Sequence, residues 1–191
     1  LLGVESKDLD IEIYGIQPQE LEKMLRANFR VEMVGKSFGV WILKGYDIDV
    51  SIPRKERKTG EGHKAFDIES DPFLPIDQAC ARRDFTINAI LYDYLEDKII
   101  DPYNGVEDLH NGVIRHTSPR FSEDPLRVLR AMQFSARFDM QVAPETVELC
   151  SQIPFENLPI ERVFEEWKKL LLKGNQLFFF RYKYGKIYEN I

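Results

Sequence analysis

The sequence has little sulfur and little imidazole: two cysteines, Cys80 and Cys150, and three histidines, His63, His110 and His116. Two cysteines cannot staple a disulfide scaffold and suit a reducing compartment. The histidines lie far apart in the chain, and no cysteine–histidine spacing resembles a zinc site. Long apolar runs are missing too. The stretch FFF at 178–180 is far short of the roughly 20 residues a membrane-spanning helix needs. The opening LLGVESKD lacks the basic start and small-residue cleavage site of a secretory signal, so a cytoplasmic protein without a membrane partner is expected. There is no P-loop and no dinucleotide fingerprint. Nor is there an excess of positive charge. The formal sum is −6, which taken alone counts against a general nucleic-acid coat. Position 1 is not methionine, and the chain opens almost on a strand, so a fragment is expected, with part of its first domain upstream.

Within that sum the charge is uneven. The run RKERK at 54–58, the pair Arg82–Arg83 and the arginines at 115, 120, 127 and 130 fall in the first two thirds, whereas residues 143–166 hold six glutamates against Arg162 alone. The composition, 43% hydrophobic and 30% charged over 191 residues, is ordinary for a globular protein with one sizeable core and a helical appendage. IEIYG ends a short strand. PQELEKMLRANF (18–29) has Leu21, Leu25 and Phe29 on one helical stripe with proline in the first turn. FRVEMVG, FGVWILKG and YDIDVSIP read as strands punctuated by Gly35, Gly39 and Gly45, with a tight hairpin at Lys44-Gly45. Trp41 is expected in the core. Residues 54–75 show no clean period and read as a mobile or ligand-ordered loop. DQACARRDFTINAILYDYLE (77–96) predicts a helix, a break at 84–86, then helix or strand. YLEDKIIDP predicts a hairpin, GVEDLHNG a one-turn helix and VIRHT a strand. From Ser122, a plausible N-cap, SEDPLRVLRAMQFSARF reads as the strongest helix, and PETVELCSQI and IERVFEEWKKLLLKG as two more. The expectation is an α/β head over 1–118 and a helical domain over 119–191, itself incomplete.

Two strands carry carboxylates at alternate positions: Asp8 and Asp10, then Asp47 and Asp49. Alternate strand residues face the same way, about 6.6–6.8 Å apart. Like charges this close oppose each other, and a divalent cation relieves the conflict. Short oxygen ligands suit Mg²⁺, and two such ions roughly 3.5–4 Å apart can clamp a phosphoryl transfer. The alternative is a pair of solvated strand faces.

Three further segments, RRDFTINAILYD (82–93), IIDPYNGVEDLHNGVIRHT (99–117) and SEDPLRVLRAMQFSARF (122–138), stand behind KDLDIEIYG in this order. Together they resemble the class II CCA-adding enzyme and bacterial poly(A) polymerase family, the tRNA nucleotidyltransferases, over residues 1 to about 172. The resemblance implies a mixed-sheet α/β head of the DNA-polymerase-beta nucleotidyltransferase type followed by an all-helical neck. It implies that Asp8, Asp10 and Asp49 hold two Mg²⁺ ions and are catalytic, Asp47 being less secure. It implies that Gly3, Arg54, Arg83, Asp84 and Asn88 handle the ribose and triphosphate. Asp124 and Arg127, three apart on a helix, would read the base, with Arg130 a candidate for phosphate or RNA contact or a helix salt bridge. Arg57, Lys58, Gly60, Gly62 and His63 would lie on a mobile loop that switches from C to A addition.

The implied reaction adds CMP and AMP from CTP and ATP to the 3′ end of tRNA and releases pyrophosphate. Poly(A) synthesis, and CC- or A-only addition, use the same motifs. A non-catalytic RNA-binding fragment that keeps the fold, and a metal-dependent phosphatase, are the readings from other classes. The chain departs from the family in two places. Only LLG stands where a glycine-pair segment and an arginine–aspartate step precede the leucines. NQLFFFRYKYGKIYENI (175–191) does not match the family's continuation, and its aromatics are expected to pack on something.

Overall fold

The computed structural model describes residues 9–34, 39–58, 66–154 and 158–174. The chain divides into two compact units, residues 1–79 and 80–191.

In the first unit, β1 (Leu9–Glu12) is followed by α1 (Pro18–Asn28), β2 (Val31–Val34), β3 (Val40–Leu43) and β4 (Ile48–Ser51). They form one sheet in the order β1-β4-β3-β2. β1 runs parallel to β4, while β3 is antiparallel to both β4 and β2. The Lys44-Gly45 turn behaves as expected, Gly45 supplying a left-handed φ of +88° that costs glycine little. Alternation sorts the sheet into two faces. Trp41, Leu43 and Val50 point into a core with Ile52 and with Leu21 and Leu25 of α1. Trp41, 1% exposed, is a core residue as expected. Pro18 occupies the first turn of α1, where its missing N–H has no partner to lose. Phe29 leaves the stripe and meets Tyr46 edge-on, with centroids 5.9 Å apart.

Residues 54–75 are not the continuous loop expected. β5 (Arg54–Lys58) and β6 (Phe66–Ser70) pair as an antiparallel hairpin. The register sets Lys55 opposite Glu69 and Arg57 opposite Asp67. β5, RKERK, is charged at every position, which leaves no apolar period to read in the sequence. At its base Lys55 pairs with Asp71; this hydrogen bond holds the Asp71 carboxyl below its usual range.

α2 (Ile76–Ala81) carries the chain from the first unit into the second. A 3₁₀ turn at Thr86–Asn88 follows, then β7 (Leu91–Asp93), β8 (Lys98–Ile100), α3 (Gly105–His110), β9 (Val113–Ile114), a 3₁₀ turn at Pro119–Glu123, α4 (Leu126–Phe138), β10 (Gln141–Val142), α5 (Pro144–Ser151) and α6 (Ile160–Lys173). β7 and β8 make the expected hairpin. The core gathers Phe85, Ile114, Phe121, Leu129 and Met132 beside Cys150. Phe85 and Phe121 are fully buried with ring centroids 5.8 Å apart; burying each ring contributes about 1.5–3 kcal/mol. The same burial pushes the Cys150 thiol up to about 12.

α4 begins later than the sequence suggests. Ser122 is not its N-cap; it lies in the preceding 3₁₀ turn and donates to the Pro119 carbonyl at 2.9 Å. The cause is Pro125, whose ring bars the residue before it from helical geometry. Asp124 is accordingly extended (φ −122°, ψ 103°) and accepts the Leu126 N–H at 3.0 Å. No helix among the described residues is long and apolar enough to cross a membrane.

α3 and the 86–88 turn approach closely at Gly105. A Cβ on Gly105 would stand 2.1 Å from the Thr86 carbonyl oxygen. Asp101 caps α3 through the N–H groups of Gly105 (2.7 Å) and Val106 (2.9 Å). Thr86 Oγ1 donates to the buried Asp108 at 2.7 Å, and Arg115 Nε donates to the same carboxylate at 3.0 Å. A Gly105→Ala variant is therefore expected to lose about 3 kcal/mol or more of stability, the upper end of overpacking penalties, read as a shift in the urea midpoint at unchanged m-value. A midpoint within error of wild type would contradict the contact.

Candidate active site

In the first unit the site is made by strand pairing. Asp10 of β1 stands in register with Asp49 of β4. In a parallel pair such partners lie on the same face, about 4.8 Å apart in the hydrogen-bonding direction, opposite the face that carries Trp41 and Val50. Both aspartates are exposed. Glu12 and Ser51 follow in register on the same face. Asp8 and Gly3 lie outside the described residues. Asp47 sits exposed in the turn before β4, where its carbonyl accepts the Leu9 N–H at 2.9 Å. Arg54 opens β5, in register with Ser70. Arg57 and Lys58, read from the sequence as loop residues, belong to β5 instead, whereas Gly60, Gly62 and His63 lie outside the described residues.

Among the described residues no group of three or more histidine, cysteine, aspartate or glutamate side chains is arranged to hold a metal ion. The carboxylates of Asp10 and Asp49 are nevertheless the hard oxygen donors a magnesium ion takes. They share one exposed face with no cation opposite them in register.

In the second unit the segment 82–88 is sewn to 115–117. Thr86 N–H donates to the Arg115 carbonyl and Thr117 N–H to the Asp84 carbonyl, both at 3.0 Å. Asp84 is 8% exposed. Its Oδ1 accepts from Phe85 N–H and Asn88 Nδ2, each at 2.9 Å, and its Oδ2 from Arg130 Nε at 2.7 Å. Arg83 Nη1 donates to the Asn88 carbonyl at 2.8 Å. Arg130 makes ion pairs with Asp84 and, at 3.8 Å, with Glu166, both outside its own helix. His116 meets Phe121 at a tilt, with ring centroids 5.9 Å apart, and shares a 2.8 Å hydrogen bond with Thr146. Burial, and then the Arg115 charge, lower its pKa.

Asp124 and Arg127 do not share a helix face, because only Arg127 is helical. Asp124 turns its Oδ2 to Arg162 Nη2 of α6 at 2.8 Å. Arg127 donates to the carbonyls of Arg120 (2.8 Å) and Arg82 (2.6 Å). The two side chains belong to one neighbourhood through the short stretch of backbone that links them. Sequence reasoning missed Arg162 and Glu166 as members of this network. The one available signal was Arg162 standing alone among six glutamates.

Residues 1–115 match the family described as Poly A polymerase head domain. The chain is 38% identical over 188 residues to the Multifunctional CCA protein of Mannheimia succiniciproducens, covering 95% of this chain and 43% of that one. It is 42% identical over 180 residues to its namesake in Azoarcus sp., covering 92% and 42%. Among solved structures, the Thermotoga maritima CCA-adding enzyme complexed with tRNA superposes with a TM-score of 0.73 at 29% identity, over 97% of this chain and 43% of that one. The Bacillus stearothermophilus CCA-adding enzyme in complex with CTP gives 0.72 at 29%, over 89% and 41%. The chain spans about two fifths of the length of these relatives. The mixed α/β head followed by helices is the architecture they share with it. On the family match and these likenesses, the chain belongs to the class II CCA-adding enzyme and bacterial poly(A) polymerase family of tRNA nucleotidyltransferases.

Proposed function

We propose that the protein carrying this chain adds CMP and AMP from CTP and ATP to the 3′ end of tRNA and releases pyrophosphate. The observation that carries this reading is the in-register pair Asp10–Asp49 on an exposed sheet face, in a chain whose relatives are named for CCA addition. Asp10 and Asp49, with Asp8, would hold two magnesium ions; when bound, these supply the charge that activates the RNA hydroxyl and neutralises the departing pyrophosphate. The carboxylates fix the place of that charge, since β1 and β4 are locked by main-chain bonds and cannot shift one residue without turning every side chain over.

The roles proposed for Arg54 of the first unit and for the residues of the second follow donor and acceptor chemistry. Arg54 and Arg83 offer guanidinium donors to phosphate oxygens. Asn88 serves the ribose. Asp124 accepts from the exocyclic amine of cytosine or adenine while Arg127 donates to the ring acceptors beside it, leaving guanine and uracil mismatched. The residues proposed to read the base lie after the functional boundary at about 118, while the compact units divide after Ala79. A cytoplasmic setting agrees with this substrate.

The match of residues 1–115 to a Poly A polymerase head domain favours one second reading, poly(A) synthesis. Incubating the full-length protein with tRNA lacking its 3′ end, Mg²⁺ and labelled CTP or ATP separates the two: CC followed by A supports CCA addition, and long A tracts support the polymerase. Asp10→Ala should lower incorporation by about three orders of magnitude, the rate equivalent of several kcal/mol of lost charge stabilisation, with an unchanged thermal midpoint. Wild-type incorporation by that variant would refute the metal role. Arg127→Ala should cost about 2 kcal/mol of preference for CTP and ATP over GTP and UTP, the worth of a hydrogen bond to a charged group. Competition among the four nucleotides measures it, and undiminished selectivity would remove Arg127 from base reading.

A further inference from the structure

The outward side of α6 is as apolar as a buried one. Ile160, Phe164, Trp167 and Leu171 fall within about 60° of arc around the helix axis, the row of apolar positions that ordinarily meets a core. Yet Ile160, Phe164 and Leu171 are 72%, 63% and 64% exposed. A different side of the helix serves the core of the unit. There α6 packs on α4, Val163 lies against the core cluster, and Glu166 and Leu170 are buried. Single exposed apolar residues are ordinary, whereas a contiguous row along about three turns marks a contact surface.

The stretch of chain that follows this surface is 175–191, which lies outside the described residues. Gly174 ends α6: its N–H donates to the Leu170 carbonyl at 2.8 Å while its own backbone is extended (φ −78°, ψ 152°). A Cβ there would stand 2.4 Å from that carbonyl oxygen, so this exit from the helix suits glycine. LFFFRYKY at 177–184 follows at once, with six of its eight residues apolar or aromatic. Eight residues span about 12 Å as a helix and about 26 Å as a strand, which brackets the roughly 16 Å from Ile160 to Leu171. Charge agrees as well. Residues 143–166 hold six glutamates against Arg162, whereas 175–191 hold Arg181, Lys183 and Lys186 against Glu189 alone. A segment tethered this close to the helix end acts at an effective concentration of about millimolar, which a free partner or a second copy of the chain would have to match.

We propose that residues 177–184 of this chain are the cover of the α6 stripe. Their aromatic side chains lie over Phe164, Trp167 and Leu171, and Arg181 and Lys183 serve the acidic flank that carries the exposed Glu161 and Glu165. The helix so covered is held from both sides, by α4 within and by the tail without. It also carries Arg162, whose Nη2 holds Asp124 at 2.8 Å, so the tail steadies the element from which that contact is made.

Trypsin reads the tail and thiol alkylation reads the stripe, both in the full-length protein with the sites located by peptide mass spectrometry. Cleavage after Arg181 and Lys183 should be slow in wild type and about ten-fold faster in Phe164→Ser/Leu171→Ser, since proteolysis follows the population of the open form. Both substituted residues are exposed, so the fold should survive, and the buried Cys150 stays unlabelled wherever it does. In the reverse direction, Leu171→Cys should label about ten-fold more slowly than Glu165→Cys, which lies off the stripe, and Phe180→Ser/Tyr184→Ser should erase that difference. Phe180→Leu/Tyr184→Phe keeps the tail apolar and should preserve it. Rapid labelling of Leu171→Cys beside an unaltered tail would show an open stripe and overturn the proposal. So would slow labelling that the serine pair leaves unmoved, the mark of a segment beyond residue 191 or of another protein. Protection that fades on dilution, the mark of a second copy, would overturn it too, as would unchanged trypsin cleavage in Phe164→Ser/Leu171→Ser.

Discussion

A carboxylate taken out of water must be paired, and the second unit is arranged around that requirement at Asp84. The segment 82–88 has only one 3₁₀ turn of regular structure, so its own backbone cannot hold it. It is held instead by the charge of Asp84 on Arg130, by main-chain bonds to 115–117, and by Gly105 pressed against the Thr86 carbonyl. Each of these anchors lies far along the sequence from the residues it fixes. Their joint effect is to fix a polar, irregular stretch in place, as the nucleotide-binding role proposed for it would require: atoms placed before a ligand arrives cost little to order when it does.

The first unit solves the opposite problem. Asp10 and Asp49 are exposed like charges, set in register by a parallel pairing that the apolar face enforces. Trp41, Val50 and Leu43 on one side leave the aspartates no choice of face. Buried charge in one unit is neutralised by arginine; exposed charge in the other stays on the sheet face where metal ions are proposed to bind. Both arrangements follow from where the apolar residues go.

Much of the architecture was legible. The alternation in VWILKG and YDIDV and the stripe of Leu21 and Leu25 gave strands and helix in their observed places, and the DxD spacing identified one face. The failures have physical causes. The first strand of the β5–β6 hairpin, RKERK, is charged at every position, so no hydrophobic period marks it. α4 starts at Leu126 because Pro125 prevents Asp124 from entering it, a rule readable in the sequence but outweighed by the attraction of Ser122 as a cap. Arg130 looked equally suited to phosphate and to a salt bridge, and its partners, Asp84 and Glu166, are 46 and 36 residues away.

By itself the sequence determined most of the elements outside 54–75, the family, and which strands carry the carboxylates, because these rest on periodicity and on motifs a few residues long. Only the tertiary structure decided which charges meet. It put Asp10 beside Asp49, turned Asp84 inward onto Arg130, and gave Asp124 to Arg162 rather than to Arg127. The reason is range. Backbone periodicity is a local property, whereas a pairing between charges forty residues apart exists only once the core has closed and brought their backbones together.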